Sequence, residues 1–426
     1  MNIRELIKML VPKGIWRFCI PYYHLTLAYL GALIYGFPSK ELFVIGITGT
    51  KGKTTTAEAI NSILEEAEYK TALAGTLRFK IDKKSEPNRQ KMTMPGRLFI
   101  QHFLWKAKRA GCTHVVLEMT SEGAAQFRHK GIQLNALIVT NLTPEHIESH
   151  GSYENYVKAK LSLAKALERS PKRPRYLVVN ENIHEADQFL NTYVEEKMSF
   201  SIRDTYPFGR EPGGATSFSF FGDRITTRLF GDFNIENLLA AASLAKMLGV
   251  EKEAIRKGIY NLDFIRGRME KVVSKEKAIP FDIYVDYAHT VDSLTKAYEA
   301  LSGKHLVCVL GGTGGGRDRS KRPEMGKVAA KYCREIYLTN EDPYDEDPRQ
   351  IVHDIESGVK ELGITPHIVM DRTEAIRQAL KATRAGEALI ITGKGTDPFI
   401  MGPKGTKTPW DDATVVRQCL KELSDE

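Results

Sequence analysis

At 426 residues, with 42% hydrophobic and 27% charged side chains, the chain is too long for one ordinary core and too apolar for extended disorder; a prior of roughly 150 residues per domain implies several globular domains. Lys and Arg number 61 against 53 Asp and Glu, and the resulting +8 is spread along the chain, which suits anionic small ligands such as nucleotides and gives no nucleic-acid-binding reading. The five cysteines, Cys19, Cys112, Cys308, Cys333 and Cys419, contain no C-x-x-C pair, which argues against a disulfide frame or a zinc site and for a reducing, cytoplasmic setting.

Near the N-terminus, Phe18 to Ser39 carries no Asp, Glu, Lys or Arg and holds Tyr22, Tyr23, Tyr29 and Tyr35. About 20 apolar residues span a bilayer, and Arg17 and Lys40 flank the run as interfacial anchors do. Pro21, His24, Thr26, Gly31 and Gly36 interrupt it, so the expectation is a helical element packed on the next domain or lying at an interface, with peripheral membrane contact through residues 15–37 left open.

The apolar run Leu42 to Ile45 leads directly into G-I-T-G-T-K-G-K-T-T-T, Gly46 to Thr56. This reads as a strand entering a phosphate-binding loop: glycines allow the tight turn, backbone N–H groups face phosphate oxygens, Lys53 reaches the outer phosphates, and the Thr54 hydroxyl is a magnesium ligand. Ile47 occupies the first glycine position of the longer G-x-x-x-x-G-K-[ST] pattern, so the shorter G-T-x-G-K-T form, Gly49 to Thr54, is the one that fits.

Beyond it, strand-like runs at Thr71–Gly75, His114–Met119, Ala136–Thr140 and Tyr176–Val179 alternate with amphipathic stretches at Thr54–Glu66, Arg97–Ala110 and Tyr153–Leu167. Such alternation predicts a mostly parallel sheet with helices on both faces and ligands at the carboxyl ends of the strands. A polar, Gly-rich stretch, Pro207 to Arg228, predicts a hairpin before a helix at Asn234–Leu248, and Ile265 to Lys271 reads as a hinge. The alternation then restarts at Asp282–Asp286, His305–Leu310, Glu335–Thr339, His367–Met370 and Ala388–Thr392, predicting a second α/β domain. Gly311 to Gly316 contains no G-x-G-x-x-G register and reads as a structural turn.

Read in order, G-T-K-G-K-T-T at Gly49, L-E-M-T-S-E-G at Leu117, T-N-L-T-P-E-H at Thr140, Y-V-K-A-K at Tyr156, G-D-F-N-I-E-N at Gly231, G-R-M-E at Gly267, D-Y-A-H-T at Asp286, G-G-R-D-R-S-K-R-P at Gly315 and T-G-K-G at Thr392 form one set. From about Leu42 to Asp412 the chain resembles the Mur ligases, in particular the branch that adds the third residue to a UDP-N-acetylmuramoyl dipeptide. The resemblance implies an α/β protein: a short apolar, helical N-terminal segment (1–40), a P-loop, parallel-sheet central ATPase domain (41–265) and a Rossmann-like C-terminal α/β domain that binds the amino acid (266–426). It also implies a cytoplasmic, monomeric, ADP-forming ligase that adds an amino acid to a cell-wall peptide precursor through an acyl phosphate.

The resemblance assigns roles by position. ATP binding falls to the loop Gly49, Thr50, Lys51, Gly52, Lys53, Thr54 and Thr55, with Asn234 and Asn237 at the adenine and Arg268, Asp286 and His289 reaching ATP from the second domain on closure. Lys53, Glu118, His146 and Lys160 carry catalysis; Thr54 and Glu118 hold one magnesium ion, and His146 with a carbamylated Lys160 a second. A carbamate forms only on a neutral amine, so Lys160 must be buried or near other cations. Thr93, Ser121 and Arg128 hold the acceptor peptide, and Asp342 and Asp397 face the incoming amino acid. Taken without the resemblance, a strand-end carboxylate such as Glu118 is ordinarily a surface cap, a loop histidine such as His146 is ordinarily solvated, and Asn234 and Asn237 are ordinarily helix caps.

The chain also departs from the family pattern. Only 45 residues precede Gly46, fewer than a uridine-nucleotide-binding domain needs, so recognition of a UDP group is expected to be reduced, rebuilt or absent. Met94 replaces a second threonine, Tyr344 stands where the diaminopimelate branch has the arginine of D-N-P-R, and Thr396 and Asp397 replace the His-Glu of G-K-G-H-E. A folylpolyglutamate synthetase shares the architecture, but Thr54 occupies a position where that family has glycine. A membrane-attached, nucleotide-dependent scaffold is the non-catalytic alternative.

Overall fold

The structure is a computed structural model that describes residues 13–145, 147–211, 215–274 and 278–425. Two compact units emerge. The first takes in the described residues up to Gly209 with Ser217–Thr226 and Ile235–Asn261; the second takes in Arg210–Thr216, Thr227–Asn234 and the described residues from Leu262 onward.

The first unit is built on an eight-stranded sheet of order β4-β3-β2-β5-β1-β6-β7-β8. Its strands are β1 (Phe43–Thr48), β2 (Thr71–Ala74), β3 (Arg78–Ile81), β4 (Lys84–Pro87), β5 (His114–Glu118), β6 (Ala136–Val139), β7 (Tyr176–Asn180) and β8 (Glu196–Phe200). From β2 to β8 every neighbouring pair is parallel, whereas β3 and β4 extend one edge antiparallel. The parallel strands are nearly continuous runs of Val, Ile, Leu and Ala because both their faces are covered. Val44, Val115, Leu117, Leu137 and Val179 pack in one cluster with Phe103 and Leu104 of the helix at Arg97–Arg109 and Leu163 of the helix at Tyr153–Glu168. The alternate residues Ile45, Ile47, Val116 and Ile138 are buried on the other face, the side that carries the helix Lys53–Glu66, which contacts β1, β2 and β5.

We label the helices that bear on the site α1 (Lys13–Ile34), α2 (Lys53–Glu66), α3 (Arg97–Arg109), α4 (Ser121–Ala125), α5 (Tyr153–Glu168) and α6 (Asp232–Met247). Of the N-terminal segment, Lys13–Ile34 is one long helix, packed on α3. Among the described residues no helix is long and apolar enough to cross a membrane. The Pro207–Arg228 stretch forms strands β9 (Gly209–Arg210), β10 (Thr216–Phe220) and β11 (Asp223–Thr227) of a small sheet.

The second unit holds β12 (Glu270–Lys271), β13 (Asp282–Val285), β14 (Leu306–Leu310), β15 (Cys333–Leu338), β16 (His367–Ile368) and β17 (Ala388–Ile391), in the order β12-β13-β17-β14-β15-β16. All neighbours are parallel except β12 against β13. Alternate residues divide between two cores: Tyr284, Cys308, Leu338 and Ile390 face Leu294, Met325 and Ile355, while Ile283, Val309, Tyr337 and Leu389 face Ile376, Ala379 and Val416. Helices therefore cover both faces of this sheet.

Candidate active site

The turn after β1 is shaped by what surrounds it. Gly49 and Gly52 take φ of +151° and +79°, and a Cβ on them would lie 1.9 Å from Thr140 Oγ1 and 2.0 Å from Asn237 Oδ1. Only glycine fits both the angle and the space. The loop is tied to the end of β6: Asn141 Oδ1 accepts from the Lys51 N–H at 2.8 Å, Asn141 O accepts from the Thr50 N–H at 3.0 Å, and Thr140 Oγ1 donates to Lys51 O at 2.6 Å. Lys53 folds back over the loop, its ammonium donating to Gly49 O at 2.9 Å and Thr50 O at 2.8 Å. Thr55 is buried one residue beyond Thr54.

Glu118 ends β5 beside this loop and is buried. Its carboxylate accepts from Thr54 Oγ1 at 3.0 Å, from the Thr76 N–H at 2.7 Å and from Thr76 Oγ1 at 2.9 Å. Burial raises its pKa, opposed by the Thr76 N–H, the Lys53 charge and the two hydroxyls. The Thr76 hydroxyl is also 2.9 Å from that of Thr93. A continuous hydroxyl and carboxylate path thus runs from the phosphate loop to Thr93. Arg128 braces the Thr93 segment: it donates to Met94 O, to Met92 Sδ at 3.3 Å and to Gln126 Oε1 at 2.9 Å. Ser121 is buried at the start of α4, which Thr120 caps by accepting from the Gly123 N–H.

Lys160, on α5, is 1% exposed and donates to the same Gly49 carbonyl at 2.7 Å, with its ammonium 4.8 Å from the centre of the Tyr156 ring. Burial drives its pKa well down, Lys53 adds to this, and Glu122 and Glu145 oppose it. The Tyr156 hydroxyl lies 2.6 Å from Thr50 Oγ1, so α5 is fastened to the loop twice. His146 lies outside the described residues.

Asn237 rests against Gly52, and its carbonyl accepts from Thr56 Oγ1 at 3.2 Å. Asn234 donates to Phe230 O at 2.7 Å, binding the first turn of α6 to the chain before it.

In the second unit, Asp286 follows β13 and ties the G-R-M-E segment to it, accepting from the Met269 and Ala288 N–H groups at 2.7 Å each. The Arg268 guanidinium lies 4.6 Å over the Tyr287 ring, and His289 Nδ1 is 2.8 Å from Tyr287 O. These three residues are brought together at the carboxyl end of β13. Asp342 and Asp397 meet on the buried Lys394 ammonium, at 2.9 and 3.0 Å. The ammonium that Asp397 holds here is therefore the chain's own. Nearby, Glu341 is buried with Oε1 accepting from Thr313 Oγ1 at 2.8 Å, and Arg372 forms a two-pronged pair with Asp412 at 2.9 Å.

Thr76, Thr140, Asn141, Tyr156, Glu341 and the Arg372–Asp412 pair are the parts of these sites that sequence reasoning passed over. Asn141 and Tyr156 sit inside the quoted motifs and could have been found there; Thr76 and Arg372 carry no local signal.

The groups around Thr54 suit a small hard cation. A hydroxyl and a carboxylate oxygen 3.0 Å apart, beside a phosphate loop, match the preference of magnesium for a few protein oxygens completed by phosphate and water. Among the described residues no cluster of three or more His, Cys, Asp or Glu forms a metal cage by itself.

Comparison with known proteins bears on the identity of this site. Residues 47–245 match the Mur ligase middle domain and residues 267–395 the Mur ligase, glutamate ligase domain. UDP-N-acetylmuramyl-tripeptide synthetase 2 of Oceanobacillus iheyensis is 35% identical over 420 residues, which cover 95% of this chain and 83% of that one. UDP-N-acetylmuramoyl-L-alanyl-D-glutamate–2,6-diaminopimelate ligase of Gloeobacter violaceus is 36% identical over 410 residues, covering 93% and 81%. A solved structure of a ligase of the latter name is similar with a TM-score of 0.61 at 28% identity, over 90% of this chain and 79% of that one. A phosphate loop closed by Asn141, a strand-end carboxylate on Thr54 and matches that run through both units place the chain in the Mur ligase family of ATP-dependent ligases.

Proposed function

We propose that this protein joins the amino group of an amino acid to a carboxylate of a muramoyl-peptide-like cell-wall precursor, consuming ATP and releasing ADP and phosphate. The observation that carries the reading is the path Thr54–Glu118–Thr76–Thr93, which links the phosphate loop to the segment assigned to the acceptor peptide. The carboxylate oxygen attacks the γ-phosphorus, the bond to the β-phosphate oxygen breaks, and ADP leaves an acyl phosphate. The amine then attacks the acyl carbon, the tetrahedral intermediate expels phosphate, and the ammonium proton passes to solvent as the amide forms.

Within this reading, Lys53 and the loop N–H groups stabilise charge on the transferred phosphoryl group. When bound, magnesium would supply positive charge against the phosphate oxygens; Thr54 and Glu118 would hold one ion, and His146 with a carbamylated Lys160 the other. Burial, with the Lys53 charge beside it, lowers the pKa of Lys160 and so favours the neutral amine, the form that adds carbon dioxide with loss of a proton. Arg128 and Ser121 orient the precursor, Asn234, Asn237, Arg268, Asp286 and His289 contact ATP, and Asp342 and Asp397 shape the amino-acid site around Lys394. The buried, unpaired thiols of Cys112, Cys308, Cys333 and Cys419 suit a cytoplasmic setting.

The test is ATP turnover with muramoyl-dipeptide precursors and a panel of amino acids, following phosphate release and peptide product together. Phosphate release that requires both precursor and amino acid supports the reading. Turnover that follows a pteroyl substrate instead would overturn it.

A further inference from the structure

From Cys19 onward, helix α1 carries no charged side chain on either of its sides. Its inner seam, His24, Ala28, Gly31 and Ala32, is buried against α3 and the turn at Gly131: a Cβ on Gly31 would lie 3.2 Å from Leu98 Cδ2, and one on Gly131 2.8 Å from Ala32 Cβ. On the outer side Tyr23, Tyr29, Leu30, Leu33 and Ile34 are between 45% and 64% exposed, and Leu98 of α3 beside them is 47% exposed. No charged residue occurs from Phe18 to Ser39 to dilute this face.

The end of the face is basic. Tyr35 stacks on His102 at 5.3 Å and meets Trp105 at 6.1 Å, and the Arg109 guanidinium lies 4.8 Å over Trp105. The Lys40 ammonium lies 4.9 Å over Phe37, and Lys106 is exposed on the last turn of α3. The nearby Glu41 carboxylate is paired with Lys108 at 2.6 Å.

We propose that this face docks on a lipid bilayer bearing anionic headgroups. Contiguous exposed apolar side chains of this size mark an interaction surface. Tyrosines with one apolar and one polar end suit the headgroup boundary, and cations at the end of the face match a negatively charged membrane surface. The buried seam keeps α1 on the unit, so the helix lies along the bilayer and does not cross it. A protein partner fits less well, because a protein interface sets a polar rim around its apolar centre and α1 offers no charged group between Phe18 and Ser39.

The docking surface is separate from the ligase chemistry, so ATP turnover in solution serves as a control for folding. Flotation of the full chain would be measured with phosphatidylcholine vesicles with and without phosphatidylglycerol. The expected result is binding that needs the anionic lipid, weakens with salt, and falls about tenfold or more in a Leu30→Glu, Leu33→Glu variant. Turnover should be unchanged in that variant. A Lys40→Glu, Arg109→Glu variant leaves the apolar face intact and should lose several-fold in binding to anionic vesicles. Any of four results would overturn the proposal: no flotation of the wild type; flotation of both variants equal to that of the wild type; a concentration-dependent dimer that the glutamates abolish without any vesicle binding; or binding that appears only after deletion of Met1 to Pro12, which would make that segment the occupant of the face.

Discussion

The Thr54 hydroxyl donates to Glu118 Oε2 at 3.0 Å, joining the first turn of α2 to the end of β5. The pairing depends on close packing, since a Cβ on Gly75 would lie 2.3 Å from Glu118 Oε1. Glu118 is thus fixed by three donors and has little freedom to choose another partner. Replacing it by Gln keeps the shape and removes the charge. Turnover by Glu118→Gln is expected to fall about 100-fold or more, with a higher magnesium requirement. Phosphate release measured across a magnesium titration checks this, and activity within a few-fold of wild type at low magnesium would remove Glu118 from the metal site.

Lys53→Ala removes the cation that folds over the loop through Gly49 O and Thr50 O. Loss of a preorganised charge beside a transferred phosphoryl group corresponds to about 100- to 1,000-fold in rate. Single-turnover phosphate release at saturating ATP separates this from weaker binding. A near-normal rate would show that another group supports the phosphoryl transfer.

Lys160 and Lys53 both donate to the carbonyl of Gly49, and Lys160 is the more buried of the two. Lys160→Ala is expected to lose most activity and to recover part of it with short-chain carboxylic acids, which bring oxygen ligands into the vacated space. Titrating acetate or propionate against turnover tests this. Full activity without additive would leave Lys160 a structural residue, whereas lost activity without rescue would leave its modification unsupported.

How legible these features are in the sequence depends on how locally they are determined. Gly49 and Gly52 announce the loop because no other residue tolerates their angles and neighbours, and β1, β5 and β6 are apolar throughout because both faces are covered. The edge strands β3 and β4 are missed because R-F-K-I is half-buried, K-S-E-P is exposed throughout, and neither carries a continuous apolar run. Glu196 to Phe200, at the opposite edge, is missed for the same reason. Thr76 matters through Glu118, 42 positions away, and Thr93, 17 positions away, and Arg372 through Asp412, 40 positions away. Long-range partners of that kind leave no periodicity to read. Asp342 and Asp397 are legible as acidic residues in a ligand loop, but that both meet Lys394 is a long-range pairing the sequence does not show for Asp342, 52 positions away.

A final prediction concerns acid stability. His129 is 2% exposed, neither ring nitrogen has a hydrogen-bond partner among the described residues, and burial with help from Lys130 pushes its pKa down to about 3. The folded state therefore holds the imidazole neutral, whereas the unfolded chain protonates it near its ordinary value of about 6.5. Because the folded pKa is the lower one, the unfolded state gains protons first as the pH falls, so the contribution is fully present above about 6.5 and is lost progressively towards 3. Between pH 7 and pH 5 this amounts to about 2 kcal/mol at this one residue. His114, pushed to about 4 by burial, acts in the same direction over a narrower window. His129→Phe keeps a ring in the cavity and removes the titration, so the loss of stability from pH 7 to pH 5 should shrink by about 2 kcal/mol relative to wild type. Urea unfolding of both proteins at the two pH values measures the difference directly, and equal losses in both would show that His129 is protonated without disturbing the fold.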